Sequence, residues 1–345
     1  MMLIIALACA LAAAVSYLSA RFAVIPILQR RGVLDHPTAR SSHDEPVARG
    51  GGIAVFAGLV AGCATALVAQ AVSAQGVEPG SEVIRSLLPL AAAALFGLVG
   101  LIDDLNSLSA ASRLVTQLVL AGAFAVAVLM VTGVGVFATV AVVLSIIVVV
   151  NGTNFMDGLN TLVPAWGAGT GLWFGVLALG VGSELLAIAT IALTAALAGF
   201  LPLNATPARS FLGDVGSYAI GGFLSVGAWV LWSDGAPATA LFAPFVIPMF
   251  DVLYTLGRRI YRRENLFTAH RTHIYQKLQT AGLSHEQVSA VHLLATGVCV
   301  TAALPVLFAA PVYDPLIAVA VWSGLIIGYT AMPTIVSRRQ SRKPA

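Results

Sequence analysis

Residues 114–150 read LVTQLVLAGAFAVAVLMVTGVGVFATVAVVLSIIVVV, without one charged side chain. A helix needs about 20 mostly apolar residues to cross a bilayer. The stretch therefore divides into two spans, 113–132 and 135–150, joined at residues 133–134. Outward from it the same pattern recurs at 2–20, 50–72, 86–102, 161–180, 184–203, 215–232, 237–256, 288–309 and 315–336. That makes about eleven transmembrane helices. Of the 345 residues 59% are hydrophobic and only 10% charged, against about 25% charged in soluble domains. Too few polar side chains exist to cover water-facing surfaces. A soluble fold, a disordered chain and a nucleic-acid binder are all disfavoured. The expected fold is an all-α polytopic membrane protein, a single integral-membrane domain over 1–345. Cys9, Cys63 and Cys299 each lie in an apolar run without metal-ligand spacing, and read as small core residues.

Charge placement predicts sidedness. The odd-numbered connections are 21–49, 103–112, 151–160, 204–214 and 257–287, and the tail 337–345 belongs with them. They, or the helix ends facing them, hold every basic residue except Arg85. Lys and Arg concentrate on the cytoplasmic side, so this face is expected inside, with the N-terminus outside and the C-terminus cytoplasmic. No basic residue precedes the first span, which fits a retained helix better than a cleaved signal. The other connections, with Glu78, Glu82, Glu184, Asp234 and Asp314, read as plain connectors.

The polar clusters fall on the basic face. Asp103-Asp104 end the third span, where the helix dipole and their mutual repulsion both oppose ionisation. They are either a polar helix stop or a catalytic or metal-binding pair. In NGTNFMDGLN, Asn151, Asn154 and Asp157 recur every three residues and would share a helical face; a cap is the plain alternative for Asp157. In SFLGDVGS, Asp214 is a helix cap or a Mg²⁺ ligand, since that hard cation favours carboxylate oxygen plus substrate phosphates. His270, Arg271 and His273 in AHRTH could together grip a diphosphate. The neighbouring arginines serve topology and anionic headgroups. The first loop carries Asp35, Arg40, His43 and Arg49 ahead of Gly50–Gly52, a triplet that reads locally as a flexible helix entry. Asp251 lies within a span, where a carboxylate is expensive and a functional candidate by default.

These motifs resemble the polyprenyl-phosphate N-acetylhexosamine-1-phosphate transferase superfamily, glycosyltransferase family 4. It includes the lipid I translocase and the O-antigen-initiating enzymes. The resemblance rests on Asp103-Asp104, Asn151-x-x-Asn154-x-x-Asp157-Gly158, Phe211-Leu212-Gly213-Asp214-x-Gly216-Ser217 and His270-x-x-His273, in order across about residues 20–280. AHRTHIYQKL looks closest to the O-antigen-initiating branch. One departure stands out: the family commonly continues Asp-Gly-x-Asp-Gly, whereas this chain has Asn160-Thr161. The resemblance implies that undecaprenyl phosphate attacks the β-phosphorus of a UDP-N-acetylhexosamine, releasing UMP and initiating an envelope polysaccharide. It implies a bacterial inner-membrane enzyme that uses Mg²⁺, with Mn²⁺ as a substitute, and is compatible with a homodimer. Asp214 and Asp104 would bear on the metal. Asp103 or Asp104 would orient or deprotonate the lipid phosphate, while Asn151, Asn154 and Asp157 would position nucleotide or metal. His270, Arg271 and His273 would hold the diphosphate. Arg40, His43, Arg49 and Asp251 would join substrate binding.

Two other classes compete. A secondary transporter could use Asp251 and the Asp pair as ion relays, but such sites lie near the midplane between paired repeats. Here the polar residues cluster at one surface, and the halves do not match. A non-catalytic scaffold leaves the carboxylates unexplained.

Overall fold

A computed structural model describes residues 1–37, 45–73, 81–133, 135–265, 271–304 and 315–341. Hydrocarbon offers backbone groups no water, so each span closes its hydrogen bonds as a helix. In chain order these are α1 (Met2–Ser19), α2 (Ile25–Arg30), α3 (Gly52–Ser73), α4 (Ser81–Asn106), α5 (Ala110–Thr132), α6 (Ala138–Met156), α7 (Leu162–Gly180) and α8 (Glu184–Asn204). Then follow α9 (Gly213–Ser233), α10 (Ala238–Phe242), α11 (Val246–Tyr261), α12 (Ile274–Thr280), α13 (His285–Ala303) and α14 (Pro315–Gln340).

Among the described residues, ten helices are long and apolar enough to cross a membrane. They match ten of the eleven expected spans. The eleventh, expected at 288–309, is α13, whose opening turns carry His285, Glu286, Gln287, Ser289 and His292. Several boundaries moved, among them the end of the span expected at 135–150, which runs on to Met156 and takes Asn151 and Asn154 into the helix. The first span continues through a π turn, Ala20–Val24, into α2 and ends at Arg30. The span at 237–256 bends at Ala243–Phe245, where Pro244 cannot donate to a regular helix, and then runs on to Tyr261.

Helix α9 is the most enclosed span and packs chiefly against α4 and α6. Small residues permit this close approach, as they commonly do where lipid supplies no hydrophobic drive between helices. A Cβ on Gly52 would overlap the Gly216 backbone and sit 3.0 Å from the Leu212 carbonyl. Gly50–Gly52 is therefore not a flexible entry: Gly52 is the contact point of α3 with α9. Large apolar side chains that stay exposed, such as Leu118, Val119 and Met130 on α5, suit a lipid-facing surface.

One element went unforeseen. Three short strands, β1 (Leu34–Asp35), β2 (Val47–Arg49) and β3 (Ser210–Phe211), form a sheet in that order. The first pair is antiparallel and the second parallel, with Arg49 opposite Phe211. Strands of two or three residues carry no periodicity to read. Their role is placement, because they fix the first loop beside the start of α9. At the opposite end of the bundle Arg85 pairs with Asp234 at 2.7 Å, so the exceptional basic residue meets one of the acids expected on its side.

Candidate active site

The N-terminal end of α9 organises the site. Gly213 takes φ +76°, a left-handed conformation open to glycine without a Cβ clash. The next two amides, of Asp214 and Val215, donate to the two oxygens of Asp104 at 3.1 and 3.0 Å. The cap of α9 thus comes from α4, and Asp214 does not cap its own helix. A carboxylate is favoured at this positive helix end. The geometry also separates the acidic pair. Asp103 accepts from the Leu108 amide at 2.8 Å and pairs with Arg113 at 3.0 Å, holding the turn after α4. Asp104 caps α9, while Asp103 also comes within hydrogen-bond reach of the Asp214 side chain.

Arg49 spans two acids, with Nε 2.7 Å from Asp104 and Nη2 2.9 Å from Asp214. Burial works against its charge, but Asp214 and Asp104 outweigh this and raise its pKa above the ordinary value. Asn154 donates to Asp214 at 2.7 Å and to the Ser217 hydroxyl at 3.1 Å. Asn151 turns away and donates to Gln117 at 2.8 Å, so the three-residue step does not keep both amides on one task. Asp157 is the C-cap of α6 rather than the N-cap of α7, which begins after Thr161. The capping alternative for Asp157 falls away with that boundary.

Asp157 lies in the same electrostatic cluster. Burial, then the charge of Asp214, push its carboxyl well above the usual range, while Arg49 and the Gly213 amide pull the other way. A carboxyl whose pKa rises on folding costs stability once pH exceeds the unfolded value of about 4. The cost grows until the folded group itself ionises. Asp157→Asn should therefore raise the melting temperature of purified protein in EDTA more at pH 8 than at pH 4. An equal shift at both pH values would show that the carboxyl is not held in a costly place.

The second half of the site is the loop entering α12. Arg271 is exposed, whereas His273 is buried, its ring 6.3 Å from Phe155 and 5.5 Å from Tyr275 between centroids. The Tyr275 hydroxyl donates to the Phe155 carbonyl at 2.8 Å, tying this loop to the segment bearing Asn154 and Asp157. Burial and the charges of Asp251 and Asp157 raise the Tyr275 pKa, which keeps it a neutral donor. Asp251, expected to bind substrate, is fully buried with both oxygens engaged by the start of α12. It holds the loop and presents no surface to a ligand. Arg40, His43 and His270 lie outside the described residues.

Asn160, the departure from the family pattern, is a buried joint. Its amide nitrogen donates to Thr206 at 3.2 Å and its backbone N–H to His285 at 3.2 Å. Ser217 and Tyr275 lie inside the quoted motifs without a role of their own being read from sequence, and Arg113 and Gln117 were not singled out. Nothing local distinguishes Gln117 within its apolar run.

The donor set bears on a divalent ion. Among the described residues, no three His, Cys, Asp or Glu side chains gather into a metal cage. Asp214, with Asp157 nearby, offers hard carboxylate oxygen in the number Mg²⁺ uses when phosphates and water complete its shell. The residues fit an ion bound jointly with substrate rather than a structural metal. Both Asp104 oxygens are already committed to α9 and Arg49.

A profile of glycosyl transferase family 4 matches residues 86–231, which include Asp103, Asp104, Asn154, Asp157 and Asp214. Among curated relatives is a probable undecaprenyl-phosphate N-acetylglucosaminyl 1-phosphate transferase of Bacillus subtilis. It is 28% identical over 76% of this chain and 75% of its own length. The decaprenyl-phosphate N-acetylglucosaminephosphotransferase of Mycobacterium tuberculosis is 29% identical over 87% of this chain and 81% of its own. A phospho-N-acetylmuramoyl-pentapeptide-transferase of Desulforudis audaxviator is 31% identical over 70% of this chain and 83% of its own. With its carboxylates gathered at one end of a helical membrane bundle, the chain belongs to the polyprenyl-phosphate N-acetylhexosamine-1-phosphate transferases of glycosyl transferase family 4.

Proposed function

We propose that the chain transfers a sugar 1-phosphate from a UDP-N-acetylhexosamine to undecaprenyl phosphate at the cytoplasmic face of a bacterial inner membrane, starting an envelope polysaccharide such as O-antigen. The observation that carries the reading is the Asp104–Arg49–Asp214–Asn154 cluster at one end of the bundle. That end also carries most of the basic residues. A lipid acceptor can approach laterally between helices while a water-soluble donor enters from the aqueous side.

In the reaction an oxygen of the lipid phosphate attacks the β-phosphorus, the bond to the bridging oxygen breaks, and UMP leaves with that oxygen. Both reactants are anions, so the site must neutralise charge before they can meet. Asp214 and Asp157 would hold Mg²⁺, or Mn²⁺ in its place, which supplies Lewis-acid stabilisation of phosphate oxygens. Arg49, half exposed between two acids, can turn its guanidinium to a phosphate while Asp104 anchors it. Asn154 orients Asp214 through its amide. His273 and Arg271, with His270, hold the diphosphate. Asp104 stiffens the start of α9, and Asp103 orients the lipid phosphate beside Arg113.

The test is purified protein in detergent with undecaprenyl phosphate, Mg²⁺ and a panel of labelled UDP-sugars. UMP release together with a labelled lipid is the expected result. Absence of turnover with every sugar, alongside solute counterflow in vesicles, would replace the enzyme with a transporter.

A further inference from the structure

We propose that Tyr329 of α14 and His292 of α13 are positioning residues for the active-site loop, acting through Asp251 on the His273 imidazole. The inference rests on the transfer reaction above, in which His273 holds the donor diphosphate.

Asp251 has no exposed surface. A carboxylate taken out of water needs its lone pairs filled. Its Oδ1 accepts the Ile274 N–H at 2.8 Å and lies 3.3 Å from both His273 Nδ1 and the Thr255 hydroxyl. Its Oδ2 accepts the Tyr275 N–H at 2.9 Å and the Tyr329 O–H at 2.8 Å. The backbone donors aim the carboxylate at the start of α12, and the tyrosine closes its far side from α14.

Counting protons orders the chain. A tyrosine has one hydroxyl proton, and Tyr329 gives it to Asp251. The contact of His292 Nε2 with the Tyr329 oxygen, at 2.6 Å, must then use a proton from the histidine. This makes His292 a neutral ring protonated at Nε2, with a bare lone pair on Nδ1. Nδ1 of His292 is indeed a buried atom without a hydrogen-bond partner. The Tyr329 contacts set the direction of donation, from His292 to Tyr329 to Asp251, and the partnerless Nδ1 is consistent with it. With Asp251 an acceptor on every side, His273 meets it as an Nδ1–H donor. That contact sets the tautomer and the plane of a ring stacked against Phe155 and Tyr275. Helices α13 and α14 thereby set the pose of a residue of the proposed site through Asp251.

The experiment uses the full-length protein in detergent and compares wild type with Tyr329→Phe, His292→Leu and His292→Gln. KM is measured for each substrate, with UDP affinity by calorimetry and the melting temperature. Tyr329→Phe deletes one oxygen and leaves the ring. It is expected to raise KM for the UDP-sugar and Kd for UDP about tenfold. KM for undecaprenyl phosphate should stay within about twofold, because only the donor's grip is disturbed. His292→Leu should follow it. His292→Gln, whose amide N–H can replace Nε2–H, should restore wild-type constants. Unchanged donor constants in Tyr329→Phe would overturn the proposal. So would a fall in kcat with both KM values unchanged, the mark of a smaller folded fraction, or a His292→Gln variant as impaired as His292→Leu. A wild-type protein that binds UDP but turns over no UDP-sugar removes the proposed reaction, and the UDP affinities of the same variants then decide the positioning role.

Discussion

Asp214→Asn is expected to lower the rate of UMP release about 100- to 1,000-fold, the usual size for losing one group aimed at transition-state charge. The substitution keeps shape and most contacts. An asparagine oxygen still accepts from Asn154, the backbone N–H still reaches Asp104, and Arg49 keeps its 2.7 Å contact with Asp104. Only the negative charge goes, at the point where the cation and the transferred phosphoryl group must be balanced. The melting temperature should therefore stay near that of wild type. The Mg²⁺ dependence of the residual rate should flatten or move to much higher concentration. A variant within threefold of wild type at saturating Mg²⁺ would take Asp214 out of the metal role.

Gly100→Ala should be nearly as damaging, without touching a charged group. Gly100 lies where α4 crosses the start of α9. A Cβ there would overlap the Asp214 carbonyl and come within 2.6 Å of the Val215 nitrogen. Both neighbours are backbone, so neither can swing aside, and the two helices must separate. Overpacking of this kind costs about 1–3 kcal/mol. A displacement of about 1 Å at a reacting centre can cost about 100-fold in rate. Asp104 and Asp214 sit on the two separating helices, so their contact opens first. The expected outcome is a lower melting temperature together with roughly 100-fold slower turnover. Gly122→Ala is the control, because nothing lies within 4 Å of its added Cβ. Equal activity in the two variants would show that the crossing has slack.

Much of the site was legible because motif residues fall at helix ends, where hydropathy marks boundaries well. Asp104 and Asp214 could be paired by their shared face of the membrane, and Asn154 and Asp157 by their step along α6. Three readings failed for a common reason. The glycine triplet looked like a flexible entry, Asp251 like a ligand group, and Asn151 like a partner of Asn154. In each case the deciding neighbour is more than thirty residues away or comes from another helix: Gly216 for Gly52, the amides of α12 for Asp251, and Gln117 for Asn151. A local pattern names a residue's chemistry but not what faces it.

By itself the sequence determined that the chain crosses a membrane, roughly where each helix runs, and that its acids and bases crowd one end. Those properties follow from composition and from the length of chain that hydrocarbon can hold. Tertiary structure alone decided which of two adjacent aspartates caps α9, that a three-strand sheet delivers Arg49 to Asp214, and that the last two helices connect to the His273 loop. A side chain's direction at a helix end depends on the turn phase and on the donors offered by neighbouring helices. One residue of rotation, about 100°, is enough to turn Asp103 toward Arg113 and Asp104 toward the amides of α9.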